Sequence, residues 1–214
     1  MATQTQSAAI FDYEWKYKSS VSALFAVFAG VAAVGWMVSV MLTAIHLFAL
    51  PAIPADSPAL TEGSIAVITS PWAYVFGIPL ATLGAGYYLG TLGLSLWWFD
   101  TRHPLIIKIL TPITASGVLF SAYFVYLQLG VIGEICPFCM VSASATVVLF
   151  GLELAMLRLS DTPSLSAMLT DVRQVVGETT LALVAIPVLV GGLTVLGLFA
   201  IPLLPMPDVI PFIE

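Results

Sequence analysis

Charge is what this sequence has least of: Asp, Glu, Lys and Arg together make up 8% of its 214 residues. A soluble domain carries about a quarter charged residues, so polar groups cannot coat a water-facing surface here. With 60% hydrophobic residues and a mean hydropathy of +1.06, the chain belongs in a bilayer, with lipid as its surroundings. The bases are too few for a nucleic-acid interface. Six Lys and Arg stand against twelve acids, giving a net charge of −6 and no basic stripe. Metal ligands are scarce too. Two cysteines and two histidines, His46 and His103, do not make the four-ligand set of a structural zinc site, so no metal is expected. The opening MATQTQSAAIFDYEWKYKSS lacks the basic start, short apolar core and small-residue cleavage site of a secretory leader. Residues 1–20 therefore read as a cytoplasmic N-terminal tail, amphipathic enough to lie on a membrane surface.

A spanning helix needs about 20 predominantly apolar residues. Five stretches qualify, from about Val21 to Leu50, Trp72 to Phe99, Pro104 to Ile132, the cysteine pair to Leu157, and Thr180 to Leu204. The expected fold is an all-α integral membrane protein. A four-helix transmembrane bundle fills 21–158, a cytoplasmic connector 159–179, and a fifth transmembrane helix with an outer tail 180–214. If all five span, every Lys and Arg falls on one side: Lys16, Lys18, Arg102, Lys108, Arg158 and Arg173. The positive-inside rule makes that side the cytoplasm, with the amino end inside and the carboxyl end outside. The one long outer loop, LPAIPADSPALTEGSIAVITS, carries an apolar patch at Ile65, Val67 and Ile68 suited to the membrane surface.

Both cysteines lie in GEICPFCMVS, at the head of the fourth apolar run and on the outer side. That compartment is oxidising in bacteria, so a dithiol there is a disulfide or a redox centre. Proline is favoured at the first helical position because its missing N–H would be unpaired anyway. Pro137 thus makes Cys136 the N-cap and Cys139 the third helical residue. Both sulfurs sit at the positive end of the helix, which favours a thiolate and disulfide exchange. Small buried packing is the competing account of such a pair. Glu134, two residues before Cys136, is placed to oppose its thiolate by like-charge repulsion.

Two segments, TSPWAYVFGIPLATLGAGYY and SAYFVYLQLGVIGEICPFCMVSA, resemble the vitamin K epoxide reductase family. The shared pattern is a Ser before an aromatic, Phe-Gly-Ile-Pro, Leu-Gly and Tyr in helix two, and Cys-Pro-aromatic-Cys opening helix four. The resemblance covers about residues 20 to 158 and points to the prokaryotic five-helix branch. It implies a bacterial or archaeal cytoplasmic membrane and a four-helix bundle around a quinone, menaquinone or ubiquinone. Electrons would enter from a thioredoxin-like periplasmic dithiol, cross to Cys136, and leave from Cys139 onto the quinone, supporting disulfide formation. Ser70 matches the hydroxyl residue near the redox centre. Ala143 stands where the animal enzymes carry a vitamin-contacting tyrosine, which favours a plain quinone over an epoxide.

The family's second cysteine pair, in the loop after helix one, is absent. At its spacing stand Ser64, six before Ser70, and Ser57, seven before that; a hydroxyl cannot form a disulfide. Three accounts stay open: serines substituted deliberately, a natural variant whose partner reaches Cys136 directly, or a non-catalytic accessory subunit among other membrane subunits. Further candidates for the quinone site are Phe76, shielding its mouth, and Tyr123 and Tyr126, donating to a ring carbonyl; packing against lipid is the alternative for each. Glu153, near the inner end of helix four, is expected to snorkel or to pair with Arg158.

Overall fold

In the structure, a computed structural model, residues 3–6, 15–54, 56–161 and 181–200 are described. Helix α1, Ser20–Ala44, runs without a break into a π-helical turn, Ile45–Ala49, and ends in a 3-10 turn, Leu50–Ala52, that contains Pro51. A short helix α2, Gly63–Thr69, lies in the loop that follows. Then come α3, Leu80–Thr101, α4, Leu105–Tyr126 with a π-helical extension Leu127–Ile132, α5, Pro137–Arg158, and α6, Leu181–Ala200. Among the described residues, three helical runs are long and apolar enough to cross a membrane: Ser20–Ala52, Leu105–Ile132 and Pro137–Arg158. The chain is an all-α membrane bundle. Its large exposed side chains, such as Val27, Met37, Leu119 and Val147, are apolar, as lipid requires.

Helix α1 packs against both α3 and α5, α4 packs against α5, and α6 lies along α3. The amino end of α1, the carboxyl ends of α3 and α5 and the start of α4 share one end of the bundle. There the guanidinium of Arg102 donates to the Ser22 hydroxyl at 2.8 Å and lies 4.4 Å from the centre of the Trp98 ring. The main core fills this end: Phe25 stacks on Trp98 with centroids 3.9 Å apart, beside buried Ile106, Ile107, Leu110, Leu149 and Met156. A smaller core of Leu42, Val67, Ile68 and Cys136 occupies the opposite end.

Several boundaries differ from the sequence reading. Helix α3 starts at Leu80, not near Trp72, because Pro71 opens a 3-10 turn and Tyr74–Val75 pairs with Ile78–Pro79 as a hairpin. Its two-residue turn, Phe76 and Gly77, has φ of 51° and 81°, both in the left-handed region that such tight hairpins require. The described parts of the amino-terminal tail are extended. Strand Trp15–Lys18 pairs with Thr3–Gln6 on one side and with Ser160–Asp161, just after α5, on the other. The alternation of aromatic and basic residues in WKYK fits a period of two better than a helical stripe. Val67 and Ile68 of the outer-loop patch turn inward against Leu42 and Cys136. Glu153 neither snorkels nor pairs with Arg158. It is fully buried, and one of its oxygens accepts from the Thr111 hydroxyl. Most of the expected connector, 162–179, and the outer tail, 201–214, lie outside the described residues.

Lipid tails are as apolar as leucine, so helices in a membrane associate through close packing and buried hydrogen bonds rather than through the hydrophobic effect. One contact shows both. A Cβ on Gly35 of α1 would fall 2.3 Å from Cε1 of Tyr88, whose hydroxyl bridges α3 to α5 by donating to the Ser142 carbonyl at 2.6 Å. Gly35→Ala should therefore destabilise the bundle by about 1–3 kcal/mol through overpacking and lower its thermal midpoint in detergent. Gly30→Ala, on the same helix with nothing within 4 Å of the added carbon, should not. Equal midpoints for the two variants would contradict this packing.

Candidate functional site

Helix α5 begins as Pro137 dictates. Cys136 is its N-cap, with an extended backbone at φ −98° and ψ 107°, and its sulfur accepts from the Cys139 N–H at 3.3 Å. Chain reversal into this cap uses Gly133 at φ 78°, whose N–H closes onto the Gln128 carbonyl at 2.9 Å. The Cys136 N–H, which precedes the helix, donates to Oε1 of Gln128 at 2.9 Å. The two sulfurs lie 2.6 Å apart, with the Cys139 thiol donating to Cys136. That is closer than unbonded contact, though beyond the S–S bond length of about 2.0 Å. Such a pair is set to close into a disulfide.

The pair's environment is asymmetric. Cys136 is fully buried beneath the cap formed by Val67 and Ile68. Its thiol is held below the ordinary cysteine range, first by the hydrogen bond from the Cys139 thiol. Burial opposes this shift, while the Cys139 N–H and the Ser64 hydroxyl add to it. Cys139 opens instead onto a cavity of about 480 Å³ between α1, α3, α4 and α5. The walls are mainly apolar, including Leu42, Leu83, Phe120, Phe124 and Val125, with the polar side chains His46, Ser70 and Gln128 near the cysteine end.

The residues singled out from the sequence separate into three groups. Cys139, Ser70 and Ala143 line the cavity. Ser64 stands against the Cys136 sulfur, where a second cysteine would bridge to it. Ser57 is further along the loop, its N–H bonded to the Pro54 carbonyl at 3.0 Å. Phe76, Tyr123 and Tyr126 are not among the lining residues. The hairpin turn carries Phe76 outward to 100% exposure. On α4 the cavity face is set by Phe120, Phe124, Leu127 and Gln128, which leaves Tyr123 (47% exposed) and Tyr126 (63%) rotated towards lipid. Glu134 has a different task from the expected repulsion: its Oε2 accepts from the Gly63 N–H at 2.9 Å and ties the start of α2 to the segment before the cysteines.

Three further lining residues fix the geometry around the pair. Gln128 is a lone amide in an apolar run, and its register depends on the π-helical turn. The Tyr88 hydroxyl, held by Ser142 and by Thr146 Oγ1 at 2.8 Å, braces the cavity floor. His46 packs between two carbonyls, Leu42 O at 2.8 Å from Nδ1 and Ile68 O at 3.0 Å from Nε2, and so joins α1 to α2.

Compared with known proteins, residues 26–154 match the vitamin K epoxide reductase family. That is more than half of the chain, and the chain belongs to this family. No match is found among curated proteins. Membership carries with it a membrane thiol-oxidoreductase type of activity, in a family that is generally linked to quinones.

The asymmetry gives a titration test. In the reduced protein the Cys136 thiolate should form at lower pH than an ordinary thiol, followed by its ultraviolet absorbance. In Cys139→Ala, which removes the leading cause of the shift, the midpoint should move upward. An unchanged midpoint would show that Cys139 does not stabilise the Cys136 thiolate.

Proposed function

From this membership and the cavity beside Cys139, we propose that the protein passes electrons from a periplasmic thioredoxin-like dithiol, through Cys136 and Cys139, to a membrane quinone. The observation that carries the reading is that Cys139 is a wall of a cavity whose size and lining suit a flat, two-carbonyl ring. Pockets of about 300–1,000 Å³, mostly apolar with a few placed polar groups, are typical for such ligands. Menaquinone and ubiquinone both meet that description. The orientation proposed places Lys18, Arg102 and Arg158 in the cytoplasm and the cysteines outside, with 21–158 as the catalytic bundle, 159–179 as connector and the fifth helix beside α3.

The protein's own part is thiol exchange. A partner thiolate attacks the Cys136 sulfur of the oxidised pair, and Cys139 leaves as a thiolate. A second partner thiol then displaces Cys136, which leaves the partner oxidised and the pair reduced. A bound quinone supplies the two-electron sink, taking two electrons and two protons as the pair closes again. The hydrogen bond from Cys139 to Cys136 keeps the two sulfurs aligned for that closure, and the apolar walls exclude water from it. Ser70, whose hydroxyl donates to the Val67 carbonyl at 2.8 Å, closes the last turn of α2 where it meets the cavity.

The cap bears on how the partner gains access. Cys136 is covered, and Ser64 beside it cannot relay electrons, so direct exchange requires α2 to lift. A second reading draws support from these same facts: a non-catalytic accessory subunit of a larger membrane complex, with the pair as a static disulfide.

Restoring the loop sulfurs separates the two. With Ser57→Cys and Ser64→Cys, a reduced thioredoxin-like substrate should be oxidised in proportion to added quinone. A bond from position 64 to Cys136 should also be trapped when Cys139 is changed to Ala. Absence of both the coupled oxidation and the trapped bond would favour the accessory reading.

A further inference from the structure

Gln128 is 4% exposed, at the point where α4 passes into its π-helical turn, a departure from regular helix that is frequent at functional sites. The orientation of its amide is fixed by chemistry. The Cys136 N–H is a donor only, so the atom facing it at 2.9 Å must be the amide oxygen. The NH2 group is therefore the other limb. It has no acceptor among the described residues, yet it is not one of the buried polar atoms closed off from contact, and Gln128 lines the cavity. Several other donors around the cavity are engaged or shut off from it. The Ser70 hydroxyl is bonded to Val67 O, that of Ser116 to Ile113 O at 2.8 Å, and that of Tyr88 to Ser142 O. His46 spends its ring on two carbonyls, and the Tyr87 hydroxyl is sealed against Gly117.

We infer that Gln128 couples the ligand to the redox pair: its amide oxygen fixes the Cys136 N–H, and its NH2 group donates to a carbonyl oxygen of the ring held beside Cys139. This rests on the reading of the cavity as a quinone site and adds the residue that recognises the ring's oxygen. A donor placed there also favours the charge that builds on that oxygen as electrons arrive, which is how preorganised N–H groups assist reactions at carbonyls. Because one side chain holds both partners, the ring oxygen and the sulfur pair keep a fixed relation. A hydroxyl elsewhere on the wall would not supply that link.

The test compares two probes by quenching of tryptophan fluorescence, Trp72 being a lining residue: menadione, a two-carbonyl ring, and 2-methylnaphthalene, the same skeleton without oxygens. Gln128→Glu keeps an oxygen for Cys136 and loses the NH2 donor; Gln128→Leu loses both. Wild-type protein should prefer menadione. Both variants should bind it about five- to tenfold more weakly, the loss of one hydrogen bond, with 2-methylnaphthalene unaffected. Only Gln128→Leu should also alter the rate at which Cys136 is alkylated in ligand-free protein. Menadione bound equally by wild type and Gln128→Glu would overturn the inference while leaving the quinone reading in place. Failure of the wild type to bind menadione at all would overturn both.

Discussion

The hydrogen bond between the Cys136 N–H and the Gln128 side chain sets the geometry on which the site depends. A helix that begins with Cys-Pro has an N-cap whose N–H points away from the helix, and in a membrane that group must find a partner within the protein. Gln128 supplies it from the neighbouring helix, across the tight reversal at Gly133. With the cap fixed in this way, Cys139 comes one turn later onto the cavity wall, while Cys136 stays in the small core under α2. One sulfur therefore faces the cavity inside the bundle, and the other is covered by α2. That difference follows from where a single helix starts.

The pair is covered by α2. Helix α2 has only seven residues and few buried groups of its own. It is tied down at three points: its first N–H to Glu134, its Ile68 carbonyl to His46, and its Val67 and Ile68 side chains to Leu42 and Cys136. Each tie ends on a residue near the cavity or near the cysteines. Ser64 lies within this cover and touches the sulfur that a loop cysteine would attack. A hydroxyl at this place can hydrogen-bond the Cys136 sulfur but cannot form a disulfide with it.

Legibility in the sequence followed the range of the interactions. The helix start at Cys136-Pro137, the stop of α3 at Asp100-Thr101-Arg102 and the crowding of bases at one end were readable because each depends on residues within one turn or on composition. The hairpin at Phe76-Gly77 was masked by its aromatic, membrane-like neighbours, although Pro71, Gly77 and Pro79 all argued against continuous helix. The pairing of Trp15–Lys18 with Ser160–Asp161 joins segments more than 140 residues apart in sequence, and no local pattern announces it. Tyr123 and Tyr126 were placed by spacing alone; the π-helical turn and the face chosen by Phe120 and Phe124 decide which α4 residues line the cavity. Glu153 shows the same limit. Its distance from Arg158 along the helix suggested a pair, but its partner, Thr111, comes from α4.

If the proposed electron path holds, Cys139 faces the place where a quinone ring binds. Photoaffinity labelling of the full chain with an azido-naphthoquinone, followed by peptide mapping, tests it most directly. Label on the cavity segments 116–128 and 139–146, suppressed by excess menaquinone, is the predicted result. Label confined to lipid-facing residues such as those of α6, or unaffected by competitor, would contradict it.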